Sequence, residues 1–177
     1  MERTLAAFSA IVLLVGCCTG CGSAEKRRPM KLPAIVFLYQ INGEDISVRQ
    51  FCDSKGDYYN VVSDDVKYLS VAELSERYEA GSLEDDIMLL RSCDRAELEE
   101  EYLRLEVAAK SGMTSLAVPE ELPAVEAPCY SWSGICYDEK GEPVTIGLHE
   151  NRCMTDISSE NSDINGVYAW FSGNLQG

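Results

Sequence analysis

The chain has 177 residues, of which 15 are Lys or Arg and 30 are Asp or Glu, giving a formal net charge of -15. This length fits one domain, and an apolar content of 46% with 25% charged residues excludes a wholly disordered chain. The acid excess excludes a nucleic-acid-binding surface, because phosphate recognition requires a basic patch. The single histidine, His149, argues against histidine-rich metal sites and most histidine-based catalysis.

The beginning of the chain is typical of an export signal. Arg3 stands near the start, although Glu2 offsets its charge, and an apolar stretch runs from Leu5 to Val15. This stretch is shorter than the roughly 20 residues that cross a bilayer as a helix. We therefore predict that residues 1–16 are a signal peptide, the alternative being a buried N-terminal strand or helix.

The residues Leu14-Val15-Gly16-Cys17 resemble the lipobox of bacterial lipoproteins. The resemblance implies cleavage before Cys17 and a diacylglycerol on its sulfur, which would anchor the chain to the bacterial cell membrane, facing outside the cytoplasm. Two acyl chains anchor a protein stably, whereas one chain binds only marginally. Cys18 and Cys21 are alternative lipidation positions, but nothing as apolar as Leu14 stands three residues before Cys21.

Residues 17–31 are predicted to be a flexible tether with a basic end, formed by Lys26, Arg27, Arg28 and Lys31. These side chains are either simply solvated or in contact with anionic lipid headgroups, each contact contributing about 1 kcal/mol. Residues 32–177 then form a single predicted domain with 10 Lys or Arg against 28 Asp or Glu, a net charge of -18.

The first part of this domain predicts three strands. Residues 33–39 form a nearly continuous apolar run, followed by a turn signal at Asn42-Gly43. Residues 46–52 alternate, with Val48 and Cys52 on one face and Arg49 on the other, and residues 58–62 read as a returning strand.

The middle of the domain predicts three helices. Ser70 and Glu73 form a capping box, and Gly81 is a stop signal. A second helix is predicted from Ser82, with Leu83, Ile87 and Leu90 on one face. A third helix is predicted from the N-cap Asp94 to Gly112. The acidic side chains of its first turn are stabilised by the helix dipole.

The last part predicts strands again. Residues 116–128 read as an extended connector, and residues 130–137 and 143–149 as a hairpin around 138–141. Residues 154–162 read as a polar loop and residues 166–171 as a final strand. The order predicts an α+β fold, with an antiparallel sheet built from N- and C-terminal strands and a central helical segment packed on it.

Five cysteines lie in the domain, and export permits disulfides. A hairpin centred on residues 140–141 places Cys129 opposite Arg152 and close to Cys153, which predicts a Cys129–Cys153 disulfide. The same register places Cys136 opposite Thr145. Cys52, Cys93 and Cys136 are otherwise expected to be small apolar core residues.

Catalytic and metal sites find little support in the sequence. A thiol enzyme would pair His149 with Cys136 or Cys153, but no nucleophile motif surrounds either cysteine, and an exposed strand position is the simpler expectation for His149. The oxygen-rich residues 156–163 lack the glycine and the terminal glutamate of a calcium-binding EF-hand loop. We therefore expect no metal and no cofactor.

The sequence thus favours a membrane-anchored lipoprotein with a non-enzymatic binding or inhibitory domain. The domain charge favours a cationic protein or peptide as the partner, although acidity also serves solubility. Four aromatic side chains are either anchors for such a partner or core residues: Tyr130, Trp132, Tyr168 and Trp170. The alternatives are a cell-envelope enzyme using His149 or a carboxylate pair, and a structural subunit of an envelope complex.

Overall fold

A computed structural model describes residues 30–44, 46–123 and 126–176 of the chain. The predicted signal peptide, the predicted lipidation site Cys17 and nearly all of the predicted tether lie outside the described residues. Residues 31–177 form one compact unit. Its seven strands are β1 Ile35–Asn42, β2 Ser47–Asp53, β3 Asp57–Val61, β4 Ile87–Ser92, β5 Cys129–Tyr137, β6 Pro143–Arg152 and β7 Thr155–Ser158. Its four helices are α1 Asp64–Lys67, α2 Val71–Glu79, α3 Arg95–Ser111 and α4 Ser162–Gln176.

All seven strands belong to one antiparallel sheet in the order β4-β3-β2-β1-β5-β6-β7. The two ends of the chain meet where β1 pairs with β5, for example at Tyr39 and Trp132. The predicted α+β class and the sheet built from both ends of the chain are therefore confirmed. In the described parts of the chain, no helix combines the length and the apolar character needed to cross a bilayer.

The helices cover both faces of the sheet rather than one, because successive strand residues point to opposite sides. On the first face, Leu38 and Phe51 pack with Val66 of α1 and Leu74 of α2 in a buried cluster. On the second face, Phe37 stacks on Phe171 of α4 with ring centroids 5.0 Å apart. The central strands are therefore buried on both sides, which explains the continuous apolar run of β1.

The helix starts that the sequence encodes locally are confirmed. The Ser70 side chain accepts a hydrogen bond from the Glu73 N–H, and the Glu73 carboxylate accepts one from the Ser70 N–H. Asp94 caps α3 by accepting from the N–H groups of Ala96 and Glu97. The helix ends at Gly112, whose φ of 73° favours glycine.

The predicted second helix from Ser82 is wrong. Residues 87–92 are instead β4, which pairs with β3, while Leu83 is buried in the first face of the sheet. A short apolar run such as Ile87–Leu90 fits a helix or a strand equally well, and the free edge of β3 decides between them. Asp86, whose N–H donates to the Leu83 carbonyl, closes the turn before the strand.

The end of the chain also differs from the sequence prediction. Residues 166–171 are part of α4 instead of a strand, because Ile164, Val167 and Phe171 recur at helical spacing and are all buried against the sheet. Asn161 caps this helix by accepting from the Asp163 N–H. Within the predicted polar loop 154–162, residues 155–158 form β7.

The β5–β6 hairpin carries a register shift between Trp132 and Ser133. On the turn side of this bulge, Cys136 pairs with Val144 and not with Thr145 as predicted. On the other side, Trp132 pairs with His149. An added residue in one strand reverses the faces beyond it. His149 is therefore turned towards α4 and is not the exposed strand residue that strict alternation predicts.

Candidate functional site

His149 lies inside an aromatic cluster between the sheet and α4. Its ring stacks on Tyr168 with centroids 4.3 Å apart and meets the edge of Trp132 at 5.3 Å. Trp132 also packs on Tyr39 and Tyr168. Only 6% of the His149 surface is exposed. Trp132 stacks on Tyr130 with ring centroids 6.5 Å apart. Trp170 packs on Phe37 with ring centroids 5.7 Å apart.

Both ring nitrogens of His149 face polar side chains on β7. Nδ1 lies 3.2 Å from Ser158 Oγ, and Nε2 lies 3.5 Å from Asp156 Oδ1. Asp156, which is 74% exposed, also accepts a hydrogen bond from Asn151 at 2.7 Å. A hydroxyl, an imidazole and a carboxylate are the side chains of a hydrolytic triad, so this group requires comparison with one. The sequence does not predict this group, because no local pattern indicates the β6–β7 pairing that joins these residues.

The cysteines that the sequence offered as partners of His149 do not join this group. Cys136 is buried on β5, and burial raises the pKa of its thiol. Cys153 has a left-handed φ of 51° in the turn that joins β6 to β7. The polar contacts of the His149 ring are with Ser158 and Asp156.

The predicted Cys129–Cys153 disulfide remains a prediction. Tyr130 pairs with Asn151, as the expected register requires. Both cysteines are free thiols in the structure.

Cys52 and Cys93 are brought together by the sheet, a contact that the sequence did not indicate. Cys52 is buried on β2, where its thiol donates to the Asp53 carbonyl at 3.6 Å and lies beside Cys93, which follows β4. Gly56 permits this approach: its φ is +97°, and a Cβ there would lie 3.0 Å from the Cys93 carbonyl oxygen and 3.1 Å from its sulfur. Burial raises the pKa of Cys52, whereas the neighbouring Cys52 thiol lowers the pKa of Cys93.

Cys93 is therefore expected to react with iodoacetamide faster than Cys52 and Cys136 at neutral pH. The thiolate is the reactive form, and burial raises the pKa of both other thiols. The Cys93 rate should fall as the pH is lowered through its depressed pKa. Cys52→Ala should slow the reaction by removing the neighbouring thiol that lowers the pKa of Cys93, whereas Cys136→Ala should leave the rate unchanged. Peptide mass spectrometry measures each rate, and equal rates for Cys93 and Cys136 would contradict this expectation.

No metal centre emerges from the described residues. They contain no group of three or more His, Cys, Asp or Glu side chains placed to hold an ion. The oxygen-rich segment 156–163 is used internally instead: Ser159 Oγ accepts from the Asn161 N–H, and Asn161 caps α4.

The β4 side of the domain presents a groove of about 600 Å³ on the first face of the sheet. Its floor includes Tyr59, Ile87 and Leu89, and Glu79 and Glu84 line it together with Lys55. The strand beside it is unusually apolar for a surface: Met88 is 51% exposed, Leu89 55% and Leu90 42%. The continuous apolar run at 87–90 is the sequence signal for this surface, although its spacing also predicts a helix.

Comparison of the chain with protein-family models, curated proteins and solved structures finds no match.

Proposed function

We propose that this chain is a lipid-anchored protein of the bacterial cell envelope whose acidic domain binds a cationic protein or peptide outside the cytoplasm. The observation that carries the proposal is the division of charge along the sequence. A basic segment follows Cys17, and a domain of net charge -18 follows that segment. The anchor rests on the lipobox resemblance, and the binding role rests on the domain.

The ion pairs of the domain support an outward acidic field. Arg95 pairs with Glu99 at 2.9 Å and Arg104 with Glu100 at 3.0 Å, both on α3. Lys67, Lys110 and Arg152 likewise pair with acids close to them in sequence. Because these bases are neutralised locally, the excess carboxylates dominate the potential that an approaching molecule meets. Such a field raises encounter rates with cations and suppresses encounters with anions.

The tether would keep this field near the membrane. The 14 residue steps from Cys17 to Lys31 span at most about 50 Å when fully extended. The distance of a captured cationic segment from the lipid surface would therefore not exceed the length of the tether plus the size of the domain. This arrangement suits the capture or inhibition of a basic secreted protein.

One experiment tests the anchor and the binding role on the full chain. In fractionated bacteria, the wild-type protein should be found in the membrane fraction, whereas Cys17→Ser should be released from it. Cys18→Ser is the matched control and should stay with the membrane. Membrane retention of Cys17→Ser would contradict the anchor assignment.

The detergent-extracted wild-type protein should then bind a fluorescein-labelled peptide of alternating lysine and valine. A glutamate–valine peptide of the same length should not bind. Affinity for the lysine peptide should fall at least about tenfold as ionic strength rises from low to several times physiological, because salt screens exposed charges. Absence of binding at low salt would contradict the proposed function.

A second candidate function is an envelope hydrolase, which the Ser158–His149–Asp156 group favours. Its side-chain types fit a triad, but His149 is nearly buried, and such chemistry also needs donors aimed at a developing oxyanion. Neither of the two grooves of about 600 Å³ in the described region is lined by His149 or Ser158. Covalent labelling of Ser158 by a fluorophosphonate would favour this candidate over the binding role.

A further inference from the structure

The two edges of the sheet are treated differently by the fold. At the β7 edge, the segment after α3 runs alongside the strand: Leu116 bridges to Ser159, and the Ala117 N–H donates to the Ser158 carbonyl at 3.0 Å. At the β4 edge, no strand of the described residues pairs with the outer side. Proteins usually protect such an edge, because it offers unpaired backbone groups to any extended chain.

The backbone groups that face outward from β4 can be assigned from its pairing. The Val62 N–H donates to the Asp86 carbonyl at 2.8 Å, and Val61 pairs with Ile87 in the same register. Bonded and non-bonded pairs alternate along an antiparallel ladder. The N–H and C=O groups of Ile87 and Leu89 therefore point away from β3. They are the groups that an added strand would bond.

The side chains of this edge are apolar, so pairing with an added strand would bury them from solvent. Met88, Leu89 and Leu90 are each about half exposed in succession. A register shift between Tyr58 and Tyr59 interrupts the ladder next to Leu90. The bulge limits regular pairing to the first part of β4, so the site fits a short segment.

The charges beside this edge select the class of segment. Glu79 and Glu84 line the groove next to Ile87 and Leu89, against one base, Lys55, and Asp85 and Asp86 immediately precede the strand. On the other face, the Arg91 guanidinium lies over the Tyr58 ring and bonds to Asn174. An added strand would thus meet acids on the groove face and apolar or basic side chains on the opposite face.

We propose that β4 is the docking edge for an extended cationic segment of the partner, which pairs with Ile87 and Leu89 as an eighth strand. This inference rests on the proposed function and gives it a location. Lysine or arginine stems on one face of the segment lie along Leu89 and reach Glu79 and Glu84, and apolar side chains on its other face cover Met88. Main-chain bonds supply affinity in this mode, and alternate side chains supply specificity.

A second copy of the chain is the less favourable occupant. Two domains of net charge -18 repel each other. A cationic segment meets the same apolar edge with complementary charge.

The test uses the full chain in detergent and the fluorescein-labelled lysine–valine peptide, measured by fluorescence anisotropy. Leu89→Pro removes an outward N–H while sparing the bonds to β3, because proline is tolerated at an edge where its nitrogen faces solvent. We expect it to weaken binding at least about tenfold, and the matched Leu89→Val to weaken it less than about threefold. Circular dichroism verifies that both variants are folded.

A peptide variant makes the test independent of any change to the protein. The same lysine–valine peptide with N-methyl groups on alternate residues keeps its charge but cannot pair along one edge, so it should bind at least about tenfold more weakly. The double variant Glu79→Gln, Glu84→Gln should reduce the salt dependence of binding. Glu120→Gln, Glu121→Gln removes the same charge from the exposed connector and should leave the salt dependence nearly unchanged.

The outcomes separate the two proposals. Salt-sensitive binding that is unaffected by both Leu89→Pro and peptide N-methylation would overturn the β4 assignment while leaving the cation-binding role intact. Failure of the wild-type chain to bind any lysine–valine peptide would overturn both. A dimer of the unliganded chain that Leu89→Pro dissociates, seen by analytical ultracentrifugation, would identify a second copy as the occupant and overturn the inference.

Discussion

Replacing Arg49 by alanine is expected to lower the free energy of unfolding by about 3 kcal/mol. The side chain rises from β2 on the first face of the sheet and is only 2% exposed. Its Nη1 donates to the carbonyl oxygens of Val66 at 3.4 Å and Lys67 at 3.3 Å, and also to that of Leu69. Removing it takes the guanidinium donor from these carbonyls, although that of Val66 keeps a backbone partner, the Leu69 N–H, and it opens a cavity beneath the helix.

The ranking of Arg49 variants identifies which contribution dominates. Arg49→Met retains most of the apolar volume and should cost less than Arg49→Ala. Arg49→Lys retains the charge, but its compact ammonium cannot match the planar guanidinium, so it should also destabilise the domain. The control is the exposed Arg77 on α2, whose replacement by alanine should change stability by less than about 0.5 kcal/mol. Urea unfolding measures the series, and an Arg49→Met protein as stable as wild type would show that the carbonyl contacts contribute nothing net.

The features that the sequence predicted correctly are those encoded within a few neighbouring residues. The Ser70–Glu73 capping box needs only four residues to form, and so does the Asp94 cap. The β5–β6 turn is similar, since the Asp138 carboxylate accepts from the N–H groups of Lys140 and Glu142. Local hydrogen bonds of this kind are available in any fold that contains the segment, so the sequence is sufficient to predict them.

The features that it missed are decided by distant partners. The run at 87–90 becomes a strand because β3 offers it a free edge. Residues 166–171 become helical because Ile164, Val167 and Phe171, spaced three and four residues apart, are buried against the sheet. The Ser158–His149–Asp156 group and the Cys52–Cys93 contact likewise depend on strand pairing across the sheet. The acidic charge could be counted from the sequence, but the position of the apolar edge beside Glu79 and Glu84 required the topology.

Arg49 illustrates the same limit at a single position. Strict alternation correctly placed it on the opposite face from Val48 and Cys52. An arginine on one face of a strand ordinarily indicates that this face is exposed to solvent, because burying a charge without partners is costly. Here α1 supplies the carbonyls of Val66 and Lys67 as partners, and the segment after it supplies that of Leu69, so the same face is interior.

Replacing Gly134 by alanine is expected to lower the free energy of unfolding by about 2 kcal/mol, because it overfills the contact between β5 and α3. Gly134 is buried and faces Leu105, whose Cδ2 would overlap an added Cβ and whose Cδ1 and Cγ would lie 3.1 and 3.3 Å from it. Leu105 is itself fully buried and has little room to move. An alanine would otherwise slightly favour a strand, so the sign of the effect reports the collision.

A double-mutant cycle with Leu105→Ala tests that cause. The single Leu105→Ala should cost about 2–5 kcal/mol through lost burial and a cavity. With Leu105 shortened, the Cβ at position 134 has no δ-carbons to meet, so the double variant should be clearly more stable than the two single losses predict. Gly173→Ala on the exposed side of α4 is the control, since a Cβ there meets nothing within 4 Å. That change should stabilise the domain by about 0.5–1 kcal/mol through helix propensity. Strictly additive losses for Gly134→Ala and Leu105→Ala would contradict a direct collision, because two changes that do not interact must sum.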